Sequence, residues 1–85
     1  MTEKKQYSDI LGKQVVTKEG KKLGIVKDIN FETNVGEILQ LIVKDPTIYT
    51  KELNLESTPE KDVLFPFNSI IAIGDFVVVS EEDLL

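Results

Sequence analysis

The chain uses the same short phrase at both ends: a β-prone stretch, a turn that calls for glycine, and a second β-prone stretch. Near the start, Lys13 to Thr17 and Leu23 to Phe31 flank a turn containing Gly20. Near the end, Ile71 to Ile73 and Phe76 to Ser80 flank Gly74-Asp75. Glycine supplies turn conformations that other residues resist, so each phrase reads as a β-hairpin. Two such hairpins around a polar middle specify a small β domain. They specify no chemistry.

At 85 residues the chain has room for one core. A domain this small buries only about 60% of the surface its unfolded form exposes, which makes pairing with a second copy a natural way to bury more. The expected organisation is a flexible N-terminus over 1–9, a barrel domain over 10–80 and an acidic tail over 81–85. Met1 to Gln6 lacks the apolar stretch of a signal peptide, and no apolar run approaches the ~20 residues of a membrane span. The absence of cysteine excludes disulfides and fits a cytoplasmic location with no membrane insertion.

Ser8 to Gly12 reads as one helical turn, with Ser8 as cap and Gly12 as its end. Lys13 to Thr17 is the first strand. In the second, Ile25, Ile29 and Phe31 share one parity while Val26 takes the other. A bulge near Lys27-Asp28 would restore Val26 and Ile29 to one face. Asn34 and Gly36 serve the next turn. Glu37 to Lys44 is apolar on both sides, with Leu39, Leu41 and Val43 against Ile38 and Ile42. Such a strand is central or lies at an interface. Residues 45–62, with Pro46 and Pro59, form a long insertion that still carries Ile48, Tyr49, Leu53 and Leu55. It reads as an extra strand, a lid or a binding loop. Val63 to Phe67 follows, Pro66 marking an edge or a strand end, and Asn68-Ser69-Ile70 suggests a 3₁₀ turn.

Without histidine or cysteine, the usual nucleophile–base pairs and commonest transition-metal ligands are missing. Asp28 and Asp75 stand among apolar residues, and as a pair they would suit hydrolysis or a hard cation. Their simpler role is to accept backbone N–H bonds at a bulge and a turn, beside the turn glycines Gly20, Gly24 and Gly74. Glu81-Glu82-Asp83 reads as a solvated run. Lys18, Lys21, Lys22 and Lys27 make a modest basic patch, but arginine is absent and the net charge is −5, which opposes nucleic acid. Expected catalytic residues, metal ligands and cofactors are therefore none.

The ordered set Gly12, Val15 or Val16, Glu19-Gly20, Leu23-Gly24, Val26, Asp28-Ile29, then Phe65-Pro66-Phe67-Asn68-Ser69-Ile70, Ile73-Gly74-Asp75 and Val77 to Val79 resembles the PRC-barrel family. That family takes its name from the cytoplasmic domain of the photosynthetic reaction-centre H subunit and includes the C-terminal domain of the ribosome maturation factor RimM. Phe67 stands where a tryptophan is common, and the 45–62 segment is longer than the pattern. The resemblance implies an all-β fold: a small, partly open antiparallel barrel of five or six strands with one or two single helical turns. It implies no catalytic residues. Stand-alone archaeal members of this length include cell-division proteins that bind the membrane-anchoring partner of the FtsZ ring. The resemblance therefore implies a protein-binding adaptor, with ribosome maturation or RNA processing as the alternative.

Two surfaces are expected to carry that work. The partner site falls on Ile48, Tyr49, Leu53 and Leu55 of the insertion, with Tyr49 offering large contact area at small entropic cost. A homodimer contact falls on Ile38, Ile42, Val77 and Val79, because a lone barrel of this size cannot easily bury so many apolar strand residues.

Overall fold

A computed structural model describes residues 9–32 and 38–84. It contains β1 (Gln14–Thr17), β2 (Lys22–Glu32), β3 (Ile38–Lys44), helix α1 (Ile48–Glu52), β4 (Val63–Pro66), β5 (Ile70–Ile73) and β6 (Phe76–Val79). Two 3₁₀ turns, Phe67–Ser69 and Glu81–Leu84, complete the set. The expected turn at Asn34 and Gly36, the loose N-terminus, the Ser8 cap, Leu85 and the Ile38 side chain lie outside the described residues.

The strands form one six-stranded sheet in the order β4-β3-β2-β1-β6-β5. Neighbours run antiparallel except β1 and β6, whose pairing from Gln14↔Phe76 to Thr17↔Val79 is parallel. The sheet is thus mixed rather than wholly antiparallel, and its edges β4 and β5 do not pair with each other. The chain crosses between these edges through Pro66, which has no N–H for a ladder, and the Phe67–Ser69 turn.

Two irregularities in β2 bend this sheet. Against β3 the register slips between Val26 and Asp28, leaving Lys27 as the extra residue. Val26 then opposes Val43, and Ile29 opposes Leu41, so both face the core as the broken alternation requires. Against β1 a second slip pairs Val15 with Gly24 and Val16 with Lys22, leaving Leu23 extra. Leu23 and Gly24 are consequently both buried. Gly24 has φ +154°, and a Cβ there would come within 2.8 Å of the Lys44 carbonyl oxygen. Only glycine lets β3 approach so closely.

Val15, Leu23, Val26, Leu41, Val43, Phe65, Val77 and Val79 form the centre of the core. Val77 and Val79 are 0% exposed within a single copy, which corrects the expectation that they sit at a dimer contact. Antiparallel pairing with β5 and parallel pairing with β1 enclose them on both sides. Leu84 is buried as well, so the C-terminal 3₁₀ turn belongs to the domain and is no detached acidic tail.

Candidate docking surface

The insertion is a helix followed by a short arm. Thr47 caps α1, its side chain accepting from the Thr50 N–H. The cap also ties the helix to the β2 bulge: Thr47 Oγ1 donates to the Lys22 carbonyl at 2.8 Å, and buried Thr50 Oγ1 donates to the Leu23 carbonyl at 2.6 Å. The Thr47 N–H also reaches the Leu23 carbonyl, at 3.2 Å. A bulge disturbs the ladder and leaves backbone groups in need of partners. The cap residue Thr47 and Thr50 of α1 supply them here.

Beyond α1, Asn54 adopts a left-handed conformation and the chain doubles back. Ser57 bridges Val63, the Leu64 N–H donates to the Glu56 carbonyl at 2.8 Å, and Thr58 and Asp62 close the turn. The arm lies along the free side of β4. Lys27 Nζ reaches Asp62 Oδ2 at 2.6 Å, linking the Lys27 bulge to the same arm. The Asp62 carboxylate holds the Lys27 ammonium pKa above its ordinary value, first through that hydrogen bond and then through charge.

Three of the four expected partner residues turn inward. Tyr49, Leu53 and Leu55 pack against the core, whereas Ile48 is 76% exposed. The Tyr49 hydroxyl donates to Glu81, and Lys21 Nζ sits 4.4 Å from the ring centroid. The hydrogen bond to Glu81 is the main cause of a raised Tyr49 pKa, with burial adding to it. The insertion is built as a lid.

The expected turn residues take mainly structural positions. Asp28 is exposed and accepts from the Ile29 N–H at 2.8 Å, beside the bulge. Asp75 is exposed in the β5–β6 turn, where the Gly74 N–H donates to the Phe76 carbonyl at 2.9 Å and Lys13 Nζ donates to the Gly74 carbonyl. Asp28 lies on β2 and Asp75 in the turn before β6, with β1 between β2 and β6 in the strand order. Among the described residues, no group of three or more acids is arranged to hold a metal ion. Ile42 is half-buried opposite Asp28 and Leu64 on the outer side of the sheet.

A cleft of about 220 Å³ opens between α1 and the arm, lined by Pro46, Lys51, Asn54 and Lys61 among others. It falls below the roughly 300–1,000 Å³ usual for small-molecule sites. The adjoining hollow sets Asp45, Glu60 and Asp62 against Lys51 and Lys61, giving no single-sign field for a charged ligand.

The β5–β6 hairpin offers a different surface, which the strand pattern did not reveal. Ile71 is 51% exposed, Ile73 48% and Phe76 49%. Strand β5 has a neighbour on one side only among the described strands. Its register against β6 slips between Ile70 and Ala72, so Ile71 is the extra residue and stands out from the hairpin.

The fold and its surface define a small β scaffold with an exposed apolar edge. The chain belongs to the PRC-barrel domain family, whose pattern it matches over residues 3–85. That family is generally non-catalytic. The chain is also 32% identical over 72 residues to an uncharacterized protein of the archaeon Methanocaldococcus jannaschii, covering 85% of this chain and 76% of that one. No helix among the described residues is long and apolar enough to cross a membrane.

Proposed function

We propose that this chain is a non-enzymatic protein-binding adaptor of the archaeal cytoplasm, acting in cell division, with the β5 edge as its docking surface. The observation that carries this reading is the exposure of Ile71, Ile73 and Phe76 on a hairpin whose outer strand has one neighbour among the described strands. Exposed apolar side chains on an open strand edge are a liability unless a partner covers them. The archaeal relative supports the cellular setting, and the division role rests on the resemblance to short stand-alone family members. Ribosome maturation is the weaker reading, because the net charge of −5 and the lack of arginine oppose RNA.

Affinity capture from an archaeal host, with mass spectrometry of the retained proteins, tests it. Division proteins should be retained by the parent and lost by the Ile71→Lys/Ile73→Lys double variant, while Ile48→Lys on α1 retains them. Ribosomal proteins in their place would move the reading to ribosome maturation. Capture indifferent to the edge substitutions would overturn the docking surface.

A further inference from the structure

We infer that the outer face of the sheet docks an amphipathic helix of a partner protein, acidic along one flank and basic along the other. The inference rests on the adaptor reading above but uses a face of the sheet, and it requires no open strand edge.

Register fixes which side chains share that face. Residues opposite each other in a ladder point to the same side of a sheet, and neighbours along a strand point to opposite sides. Val15, Val43 and Val77 point into the core, so Val16, Ile42 and Val78 point out. Leu64 lies opposite Ile42, Ile25 opposite Gln14, and Val16 opposite Val78. Leu64, Ile42, Ile25, Val16 and Val78 are each half-buried and form an apolar diagonal from β4 to β6. Exposed Phe76, opposite Gln14, borders its β6 end.

The charges beside the diagonal are segregated. Lys44 lies opposite Ile25 and Lys22 opposite Val16, both exposed and both on one flank. Exposed Asp28, opposite Ile42, lies on the other flank. Among the described residues none of the three forms a salt bridge. A partner that complements them places carboxylates beside Lys22 and Lys44 and a cation beside Asp28. This pattern fixes the direction in which the partner lies.

The geometry favours a helix. Strands β1, β2 and β3 each have a ladder on both sides, so the face presents side chains and little free backbone. A helix bonds its own backbone, whereas an extended segment laid there would leave its groups unpaired. Four strand spacings of about 4.8 Å make the diagonal roughly 20 Å long, which about 13 helical residues span. The chain's own undescribed segments match poorly in composition. Met1 to Ser8 carries Lys4 and Lys5 against Glu3, and Thr33 to Glu37 carries one acid.

The test uses a fluorescein-labelled model helix of ~14 residues, about four turns, with leucines on one face, glutamates along one flank and lysines along the other. Fluorescence anisotropy should show saturable binding to the parent, weakening as salt is raised. Lys22→Glu/Lys44→Glu should raise the dissociation constant at least tenfold, which corresponds to about 1.4 kcal/mol. The same variant should bind a peptide whose glutamates are replaced by lysines. Both substituted side chains are exposed, and circular dichroism should show the fold retained. Ile71→Lys/Ile73→Lys should leave peptide binding unchanged, which separates this face from the β5 edge. The inference is overturned by absence of binding at several hundred micromolar, whether the face then proves bare, covered by a second copy in sedimentation equilibrium, or bound to phosphatidylglycerol vesicles. Binding indifferent to the charge reversal, or lost with the β5 substitutions, overturns it as well. Peptide binding that follows Lys22 and Lys44 supports it even where affinity capture shows no role for the β5 edge.

Discussion

The two edges of this sheet are treated in opposite ways. Along β4 the chain lays its own backbone, through Glu56 and Ser57, and ends the strand with proline. Along β5 the described chain lays nothing and exposes two isoleucines. The covered edge is held by polar contacts that start at the β2 bulges and pass through α1 and the arm. The bare edge is held by core packing of Val77 and Val79 beneath it. Among the described residues a long insertion closes one edge, and a tight hairpin leaves the other without a second neighbour.

Gly24→Ala should most severely break the covered side. The new methyl would press on the Lys44 carbonyl at 2.8 Å and adopt a φ that L-residues rarely take. The expected loss is roughly 3 kcal/mol, combining backbone strain with overpacking. Chemical denaturation should show it as a lower midpoint. Gly20→Ala, at φ +89° with open space around the added carbon, should cost about 1 kcal/mol from backbone conformation alone.

Thr50→Val keeps the shape of the side chain and removes its donor to the Leu23 carbonyl. The Leu23 carbonyl keeps the Thr47 N–H, so losing this second donor should cost about 0.5–1.5 kcal/mol, the net worth of one hydrogen bond. Hydrogen exchange should accelerate in α1 and the arm and change little in β6, because β6 draws no bond from the insertion. Thr50→Ser should restore most of the loss. Equal acceleration in β6 would show that the two sides unfold as one unit and would dissolve the contrast.

Much of this arrangement was legible in the residues, and the failures have identifiable causes. The Lys27 bulge could be read because Val26 and Ile29 break parity within one strand. The Leu23 bulge could not, since Leu23-Gly24 sits at the start of β2 and interrupts no alternation. Helix α1 has five residues, too few for a 3.6-residue period to show, and a helix so short forms only with tertiary support. The parallel pairing of β1 with β6 joins opposite ends of the chain and leaves no local trace. Phe76 to Val79 is apolar at every position, a pattern that fits an interface and a buried strand equally well. The exposure of Ile71 and Ile73 leaves no local trace either; it comes from β5 standing last in the strand order, which is a property of topology.

Alkaline pH should loosen the covered side selectively. Tyr49 and Lys27 both have folded pKa values raised above their ordinary 10.0 and 10.5. A raised value means that folding favours the protonated form. Each contribution is therefore complete below the ordinary value and is lost as pH rises through the folded one. In a Tyr7→Phe background, ultraviolet titration of Tyr49 should give a midpoint above 10.0, and Glu81→Gln should bring it down by removing the main cause of the shift. A midpoint at or below the ordinary tyrosine value would show that the latch between α1 and the C-terminal turn is not formed in solution.

The smallest effects should come from the two exposed aspartates, and they too should differ by side. Asp28 accepts the Ile29 N–H immediately after the Lys27 bulge, where the backbone must turn out of its ladder. Asp28→Ala removes that acceptor, but water can reach the site, so the penalty is well below that of a buried orphan. About 0.5–1 kcal/mol is expected, the net worth of an ordinary hydrogen bond. Asp75 stands at the tip of the bare hairpin, and the turn there is closed by Gly74 and Phe76 backbone groups without its carboxylate. Asp75→Ala should stay within about 0.5 kcal/mol of the parent, as surface changes usually do. Thermal melts of both variants beside the parent would check the order. If Asp75→Ala proved the more costly, the hairpin tip would depend on its side chain, and the bare edge would be held by polar contacts much as the covered one is.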